Sequence, residues 1–157
     1  MRITTYSDYS LRLLMYLGVA PGGHSTIAEA AAHYGVSRTH MMKVAHQLGK
    51  AGYITTVRGR AGGLRLARPA GAIVVGEILR ITENDFNIVP CFESATLCRI
   101  TPSCVLKHAL TEATSAFLRV LDGYTLADLI VAAPELRRDL ELPPADDRHE
   151  PRDSIRS

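Results

Sequence analysis

The chain has 157 residues and a formal net charge of +2, a length that fits one domain or a small domain with an added oligomerisation element. No apolar run approaches the roughly 18 residues of a membrane span, and no charged-then-apolar leader opens the sequence, so we expect a cytoplasmic protein. Thiols stay reduced in that compartment, and three cysteines cannot all pair, which favours ligands or reactive thiols over a disulfide framework.

The charges are unevenly distributed along the chain. Residues 1–82 carry ten Lys and Arg against three Asp and Glu, a net charge of +7. Residues 83–133 carry three against six, and residues 134–157 carry five against seven. Between Ser37 and Arg68 there are seven basic residues and no acidic ones. This asymmetry predicts a front half that binds a polyanion, on a neutral or acidic support.

The first predicted helix covers Asp8–Gly18, where apolar side chains recur at helical spacing. Thr4 and Ser7 offer capping hydroxyls before it, and a Pro-Gly-Gly sequence beginning at Pro21 ends it. Asp8 would lie in the first turn, where a carboxylate complements the helix dipole. That common structural role is the simplest interpretation of Asp8 from the sequence pattern.

Two further helices are predicted next, joined by a turn that contains a glycine. The first opens with a capping box at Thr26-Ile-Ala-Glu29 and runs to about His33, and the second runs from a cap at Ser37 to about Ala51. Such a pair is a helix-turn-helix, whose second helix enters the major groove of DNA by its N-terminal residues. The hydrogen-bonding and cationic residues there are the predicted base contacts: Ser37, Arg38, Thr39, His40 and Lys43.

A basic β-hairpin is predicted directly after this pair of helices. Tyr53–Val57 is rich in β-branched residues, 64–67 alternates, and the glycine-rich segment between them suits a hairpin tip. A hairpin in this place is a wing that contacts phosphates or the minor groove, with Arg58, Arg60 and Arg65 as the candidate contacts. A nucleotide-binding loop is the alternative, but no helix follows the glycines and neither phosphate-loop pattern fits.

A long helix is predicted in the second half of the chain, after a short helix over Val74–Thr82 and an irregular segment over 84–103. Pro102 suits its first turn, and it continues to about Leu121. Its apolar stripe recurs at steps of three and four residues and consists of Leu106, Ala109, Leu110, Ala113, Phe117, Val120 and Leu121. We expect this helix to pack against a second copy of the chain, although packing within one chain is the simpler alternative.

The remaining C-terminal sequence predicts little regular structure. Tyr124–Val131 suits a short amphipathic helix. From residue 134 the sequence is charged and punctuated by prolines, so it predicts a disordered tail with no assigned role.

All three cysteines of the chain lie within fourteen residues, and they are Cys91, Cys98 and Cys104. Soft thiolates at these spacings suit an iron–sulfur cluster, zinc or copper(I), although a structural zinc site more often has a C-x2-C pair, which is absent here. Unliganded thiols, as a redox switch or as buried residues, are the other alternative. A fourth ligand would be needed, and the spacing leaves three candidates open: Glu93, His108 and Asp8.

Several motifs along the chain carry a resemblance to one known family. They are Tyr6-Ser-Asp-Tyr-Ser-Leu-Arg12, Tyr34-Gly-Val-Ser-Arg-Thr-His-Met41, Ala51-Gly-Tyr-Ile54, Val57-Arg-Gly-Arg-Ala-Gly-Gly-Leu-Arg-Leu66, Cys98-Arg-Ile-Thr-Pro-Ser-Cys104 and Tyr124-Thr-Leu-Ala-Asp-Leu129. With these motifs the chain resembles, over roughly residues 1–131, the nitric-oxide-sensing or NsrR type within the superfamily of small winged-helix iron–sulfur regulators that includes the IscR type.

The elements and the resemblance together predict a mainly α fold with a small β-hairpin. Residues 1–82 would form a winged helix-turn-helix DNA-binding domain, and residues 83–104 a cluster-binding loop. A dimerisation helix and a short C-terminal helix would follow within residues 102–131, and a disordered tail would occupy residues 134–157.

The resemblance also implies a function and a ligand set. It implies a homodimeric repressor with a 4Fe–4S cluster, or alternatively a 2Fe–2S cluster, held by the three cysteines and by Asp8 of the partner subunit. An iron held by a hard carboxylate among soft thiolates should be the labile position, open to nitric oxide. The same bond would connect the cluster to the partner's DNA-binding domain, so that nitric oxide releases the operator.

Two departures from the family pattern keep alternatives open. The gap of six residues after Cys91 is longer than is common among such proteins, and the IscR type has a histidine where this chain has Lys107, with His108 displaced by one position. A cluster-status or redox sensor of the IscR type is the first alternative, and a zinc or thiol winged-helix regulator is the second. An electron-transfer protein would leave the basic elements without a purpose. An enzyme is not expected, because the sequence shows no acid–base constellation and no nucleotide motif.

Overall fold

The structure is a computed structural model that describes residues 2–59, 62–94 and 98–143. Within these residues the chain forms seven α-helices and one two-stranded antiparallel sheet. The helices are α1 (Thr5–Val19), α2 (Ile27–His33), α3 (Arg38–Lys50), α4 (Val75–Thr82), α5 (Val105–Asp122), α6 (Leu126–Leu129) and α7 (Ala133–Asp139), and the strands are β1 (Ile54–Val57) and β2 (Gly63–Leu66). None of the described helices is long and apolar enough to cross a membrane.

Helix α1 lies at the centre of the core. It begins at Thr5, three residues earlier than the sequence predicts, because the Thr4 hydroxyl accepts a hydrogen bond from the Ser7 N–H at 3.2 Å and caps the first turn. Its buried side chains face more than one neighbour, and they are Ser7, Ser10, Leu13, Leu14, Tyr16, Leu17 and Val19. Helix α1 therefore packs against α3, α4, α6, α7 and strand β2 at the same time.

Helices α2 and α3 form the predicted helix-turn-helix. The capping box of α2 is confirmed, because the Glu29 N–H donates to the Thr26 hydroxyl at 3.1 Å and the Thr26 N–H donates to the Glu29 carboxylate at 2.8 Å. The Ser25 hydroxyl also donates to that carboxylate, and this bond lowers the pKa of Glu29. Gly35 turns the chain between the helices with a φ of 61°, which other residues rarely adopt.

Ser37 behaves differently from the sequence-based prediction. It occupies the N-cap position of α3, but its side chain makes no capping hydrogen bond. The hydroxyl is exposed to solvent at the start of the helix. Its place at the N-terminus is confirmed, whereas its predicted capping bond is not formed.

The wing is fixed to the start of α2 as well as to its own partner strand. Strands β1 and β2 pair with Ile54 opposite Leu66, and a further bridge joins Ser25 to Leu64 through backbone bonds of 3.0 and 2.7 Å. A Cβ atom at Gly63 would lie 2.5 Å from the Ser25 carbonyl oxygen, so only glycine permits this approach. The hairpin and the helix-turn-helix are therefore one unit.

Helix α5 begins at Val105, later than the prediction, because Thr101–Ser103 forms a separate 3-10 turn. Its C-terminal end is tied to α4 by two hydrogen bonds between the Arg80 guanidinium and the Asp122 carboxylate, at 2.5 and 2.8 Å. Next to them a backbone bridge joins Val74 to Thr125. Of the side chains of α5, only Thr114 is buried by the described part of the chain.

The C-terminal sequence forms a helix where the sequence predicts a disordered tail. Pro134 stands in the first turn of α7, a position that proline favours, so it starts a helix here. The Arg137 side chain donates to the Val19 carbonyl at 2.8 Å, and Leu140 is only 6% exposed. The predicted tail is thus ordered through residue 143, and residues 144–157 lie outside the described residues.

The two N-cap positions of the helix-turn-helix give a matched test of this local structure. We expect Thr26→Ala to lower the free energy of unfolding by about 1 kcal/mol, because a helix-capping bond is lost. We expect Ser37→Ala to change it by less than about 0.5 kcal/mol, as for an exposed side chain without a partner. Urea unfolding of both variants measures the difference, and equal losses would show that Ser37 caps α3 in solution.

Candidate DNA-binding surface and cysteine loop

Helix α3 buries one face and exposes the other. Its buried side chains are Met41, Val44, Ala45 and Leu48, which recur at steps of three and four residues. The predicted base-contact residues are all exposed, and they are Ser37, Arg38, Thr39, His40 and Lys43. The structure therefore brings these five residues together on the N-terminal, solvent-facing part of a recognition helix.

Two aromatic residues of α1 hold the position of this part of α3. The Tyr6 hydroxyl donates to the Lys43 carbonyl at 3.3 Å, and the Tyr9 ring lies 6.4 Å from the His40 ring, centroid to centroid. Burial raises the pKa of the Tyr6 hydroxyl, so it stays protonated and able to donate. The orientation of the recognition helix is thus connected to the first two turns of α1.

The wing presents two of the three predicted arginines. Arg58 is exposed directly after β1, and Arg65 is exposed in β2 opposite Thr55. Arg60 lies outside the described residues. Both described side chains are free of ion pairs within the described part of the chain, so their charges are available to phosphates.

Arg68 has a structural role that the sequence did not reveal. Its guanidinium lies 4.4 Å from the centre of the Tyr53 ring and donates to the carbonyls of Gly52 and Ala51, at 3.0 and 3.2 Å. These carbonyls follow the end of α3, where a cation is favourable. Arg68 therefore joins the wing to the end of the recognition helix.

Two exposed residues of α3 extend the basic surface beyond the sequence-based prediction. His46 and Lys50 follow Lys43 at steps of three and four residues and line the groove between α3 and β1. This helical spacing was the signal in the sequence that could have identified them. The candidate DNA surface thus continues from the N-terminus of α3 toward the wing.

The cysteine loop leads directly into α5. All three cysteines are half-buried and none is in a disulfide. Cys91 lies in a 3-10 turn, whereas Cys104 caps α5, its sulfur accepting the Lys107 N–H at 3.4 Å. Cys104 therefore lies at the N-terminus of an 18-residue helix.

The described residues of one chain do not form a complete ligand set. Among residues 2–59, 62–94 and 98–143, no three or more His, Cys, Asp or Glu side chains are grouped so as to hold a metal ion. Glu93 and His108, the local candidates for a fourth ligand, are both exposed. Residues 95–97, inside the first cysteine gap, lie outside the described part. The donor chemistry of three soft thiols still fits an iron–sulfur cluster or zinc.

Asp8 lies on the exposed side of α1 and is already paired. Its carboxylate oxygens lie 2.9 and 3.0 Å from Nε of Arg12, one turn further along the helix. The Arg12 guanidinium in turn lies 5.6 Å from the centre of the Tyr34 ring, next to the turn between α2 and α3. Burial raises the pKa of the Tyr34 hydroxyl to about 12, so this ring stays neutral at physiological pH.

The structure combines a helix-turn-helix, a basic recognition helix and a wing with a cysteine loop that leads into a long helix. These features define the class of winged-helix transcriptional regulators with a cysteine site. The family model described as "Rrf2: Iron-dependent Transcriptional regulator" matches residues 3–132. The chain therefore belongs to the Rrf2 family.

Individual relatives agree with this assignment. The chain is 47% identical over 144 residues to the HTH-type transcriptional regulator NsrR of Bacillus subtilis (strain 168), covering 90% of this chain and 99% of that protein. It is 45% identical over 140 residues to the protein of the same name from Bacillus licheniformis, covering 88% and 98%. The identification as a transcriptional regulator similar to NsrR is confirmed.

Solved structures confirm the predicted fold class. The T. potens IscR structure matches with a TM-score of 0.67 at 26% identity, covering 87% of this chain and 91% of that chain. The structure of CymR (YrzC), the global cysteine regulator of B. subtilis, matches with a TM-score of 0.62 at 22% identity, covering 84% and 98%. At that identity the second likeness shows the fold alone.

The wing arginines give a test of the DNA-binding surface. We expect Arg58→Gln and Arg65→Gln each to reduce the slope of log affinity against log salt by about 0.9, because each removes one phosphate contact. Arg68→Gln is the matched control, and we expect it to lower the free energy of unfolding while leaving the slope unchanged. Fluorescence anisotropy with duplex DNA measures the slopes between 50 and 200 mM salt. Over this range a protein with several phosphate contacts loses affinity by about 10³-fold or more. Unchanged slopes for Arg58→Gln and Arg65→Gln would remove the wing from the DNA contacts.

Proposed function

We infer that this protein is a homodimeric transcriptional repressor whose binding to its operator is controlled by an iron–sulfur cluster that reacts with nitric oxide. The observation that carries the proposal is the position of Cys104. It caps the N-terminus of α5, whose other end is bonded to α4 of the DNA-binding domain. Helix α5 thus connects the cysteine loop to α4, which packs against α1, and α1 in turn packs against the recognition helix α3. The names of the Bacillus relatives support the same function.

The ligands that we propose are Cys91, Cys98 and Cys104 of one subunit and Asp8 of the other. When bound, a 4Fe–4S cluster, or alternatively a 2Fe–2S cluster, would supply an iron site that nitric oxide can attack. Three thiolates leave one of the usual four ligand positions open, and a carboxylate oxygen is a harder, weaker ligand there. Half-buried thiols that form no disulfide suit this role.

Dimerisation is supported by the exposed part of the apolar stripe of α5. Leu106 is 65% exposed and Val120 is 61% exposed, and Ala109 and Ala113 lie between them on the same face. Packing within one chain covers only part of this stripe, since Leu110, Phe117 and Leu121 are half-buried where α5 packs against α4. A second copy of α5 would cover the stripe in a two-fold dimer, the commonest symmetry for oligomers.

The Asp8 carboxylate would have two competing partners in this arrangement. In the isolated chain it is paired with Arg12 at 2.9 Å. Serving the partner's cluster would weaken or replace that ion pair, and Arg12 also contacts the Tyr34 ring beside the helix-turn-helix turn. The protein's own charges thus provide a physical connection from the proposed ligand to the DNA-binding elements.

A sensor of the IscR type, which responds to cluster status or redox state, is the second candidate. It is supported by the match to T. potens IscR and by His108, which is exposed in the first turn of α5. A zinc or thiol winged-helix regulator would use the same cysteines without iron. We place the protein in the cytoplasm, where its DNA target lies and thiols stay reduced.

Substitution of Asp8 tests the proposed fourth ligand. We expect Asp8→Ala to fold and dimerise like the wild type but to lose its cluster absorbance faster when an iron chelator is added without oxygen, because one ligand is gone. Glu93→Ala is the matched control, since it removes an exposed carboxylate of the cysteine loop itself. If Asp8→Ala and the wild type lost the cluster at equal rates, Asp8 would be only a charge at a helix terminus. If only Glu93→Ala lost the cluster faster, Glu93 would be the fourth ligand instead.

Charge substitutions in α5 test the dimer. We expect Ala113→Glu to shift the protein from dimer to monomer, because it would place two buried carboxylates at the interface without partners. Ser115→Glu is the control on the opposite face of the same helix, and we expect it to remain dimeric. Sedimentation velocity at micromolar concentration separates the two species. A monomeric wild type, or a dimeric Ala113→Glu protein, would contradict the proposed interface.

A further inference from the structure

One large apolar side chain lies exposed on the recognition helix. Met42 is 49% exposed, although it stands in the middle of α3. The core contacts of this helix are already made by its four buried side chains, among them Met41 and Val44. Met42 is therefore not needed to fill the core, and the exposed part of its side chain is available to a partner.

Met42 has cationic neighbours along α3, although the groove that it lines is mostly apolar. Arg38 and His46, one helical turn before and after it, are both exposed. Met42 also lines the groove of about 560 Å³ between α3 and β1, together with Lys50 and Thr56. No acidic residue occurs anywhere between Ser37 and Arg68. A surface of this charge favours a polyanion over an apolar protein partner, so DNA is the occupant that we consider.

The major groove of DNA offers one apolar group to such a side chain, the C5-methyl group of thymine. The thioether of methionine is flexible and polarisable, so it can adapt to the position of a methyl group. We propose that Met42 contacts a thymine C5-methyl group in each half-site and thereby selects an A·T pair. This inference rests on the proposed function of the chain as an operator-binding regulator.

A structural role for Met42 would have different consequences. The side chain also lies near Ile27 and Ile54 in the same groove, and packing there would contribute to stability. A purely structural Met42 would alter unfolding but leave the preference among bases unchanged. The two roles are therefore separated by measuring base preference and stability in the same variant.

The test begins with the selection of duplexes by the wild-type dimer from a pool of random DNA sequences, because it requires no known operator. Each thymine of the selected sequence is then replaced by deoxyuridine, which differs only by the methyl group. We expect one position per half-site at which this replacement lowers affinity about fourfold, the effect of one buried methyl-sized group. We expect the effect to disappear in Met42→Gln, which keeps the length of the side chain and a good helix propensity.

Arg58→Gln is the matched control for this experiment. It removes a proposed phosphate contact, so we expect lower affinity for both duplexes and an unchanged ratio between thymine and uracil. Thermal unfolding of Met42→Gln shows whether the variant is folded. A wild type that tolerates deoxyuridine at every position, or a fourfold loss that persists in Met42→Gln, would overturn the role of Met42. A wild type that selects no sequence would instead overturn the operator-binding function itself, and with it this inference.

Discussion

The burial of α1 on several sides is the constraint on which the other elements depend. Small side chains such as Ser7 and Ser10 are buried completely or nearly so, which permits close approach of neighbouring helices, and the leucines one turn further on fill the core. The Ser7 hydroxyl bonds the buried Thr82 hydroxyl of α4 at 2.8 Å, so α1 is fixed to α4 by a polar contact as well. A helix held in this way cannot rotate without repacking the core.

The same helix carries Asp8 on its exposed side and the two tyrosines that contact α3. Two turns of this rigid helix therefore contain Asp8, the proposed cluster ligand, together with its ion-pair partner Arg12. The same two turns contain the tyrosines that support the recognition helix. Because packed elements move as units and deform little, a change in what Asp8 binds would act on the position of α3. This physical arrangement is the reason that we connect the ligand to DNA binding.

Helix α5 forms the second connection between the same parts. With 18 residues it spans roughly 27 Å, and it has a cysteine at its N-cap and the ion pair to Arg80 at its last residue. Gly76 permits that ion pair, because a Cβ atom there would collide with the Asp122 carboxylate. The exposed part of the stripe, which includes Leu106 and Val120, is where we propose that a second copy of the helix packs. Helix α5 thus contacts the cysteine loop at one end and α4 at the other, and carries the proposed dimer contact between them.

The sequence predicted the elements whose signals are local. The capping box of α2, the glycine turn, the hairpin and the exposed face of α3 were all predicted, since periodicity and turn chemistry act over a few residues. The sequence missed α7, because its stability depends on a contact with Val19 more than a hundred residues away. It also missed the role of Arg68, which depends on the Tyr53 ring and the end of α3. It wrongly predicted a capping bond from the Ser37 side chain, which the structure does not form.

The ligand set of the cysteine site was predicted only through the family resemblance. Spacing left Asp8, Glu93 and His108 as equal candidates, and no local pattern in a sequence shows that a ligand comes from a second subunit. The described residues of one chain form no complete group. The composition of the bound group therefore tests the central claim most directly.

This test uses native mass spectrometry of anaerobically purified protein. Nitric oxide is added stepwise, and DNA binding is measured in parallel. We predict a dimer that carries two 4Fe–4S masses, which disappear as nitric oxide is added, with release of DNA over the same range of concentration. A 2Fe–2S mass would favour a sensor of the IscR type. A zinc mass, or a dimer without metal that keeps full, nitric-oxide-insensitive DNA binding, would contradict control by an iron–sulfur cluster.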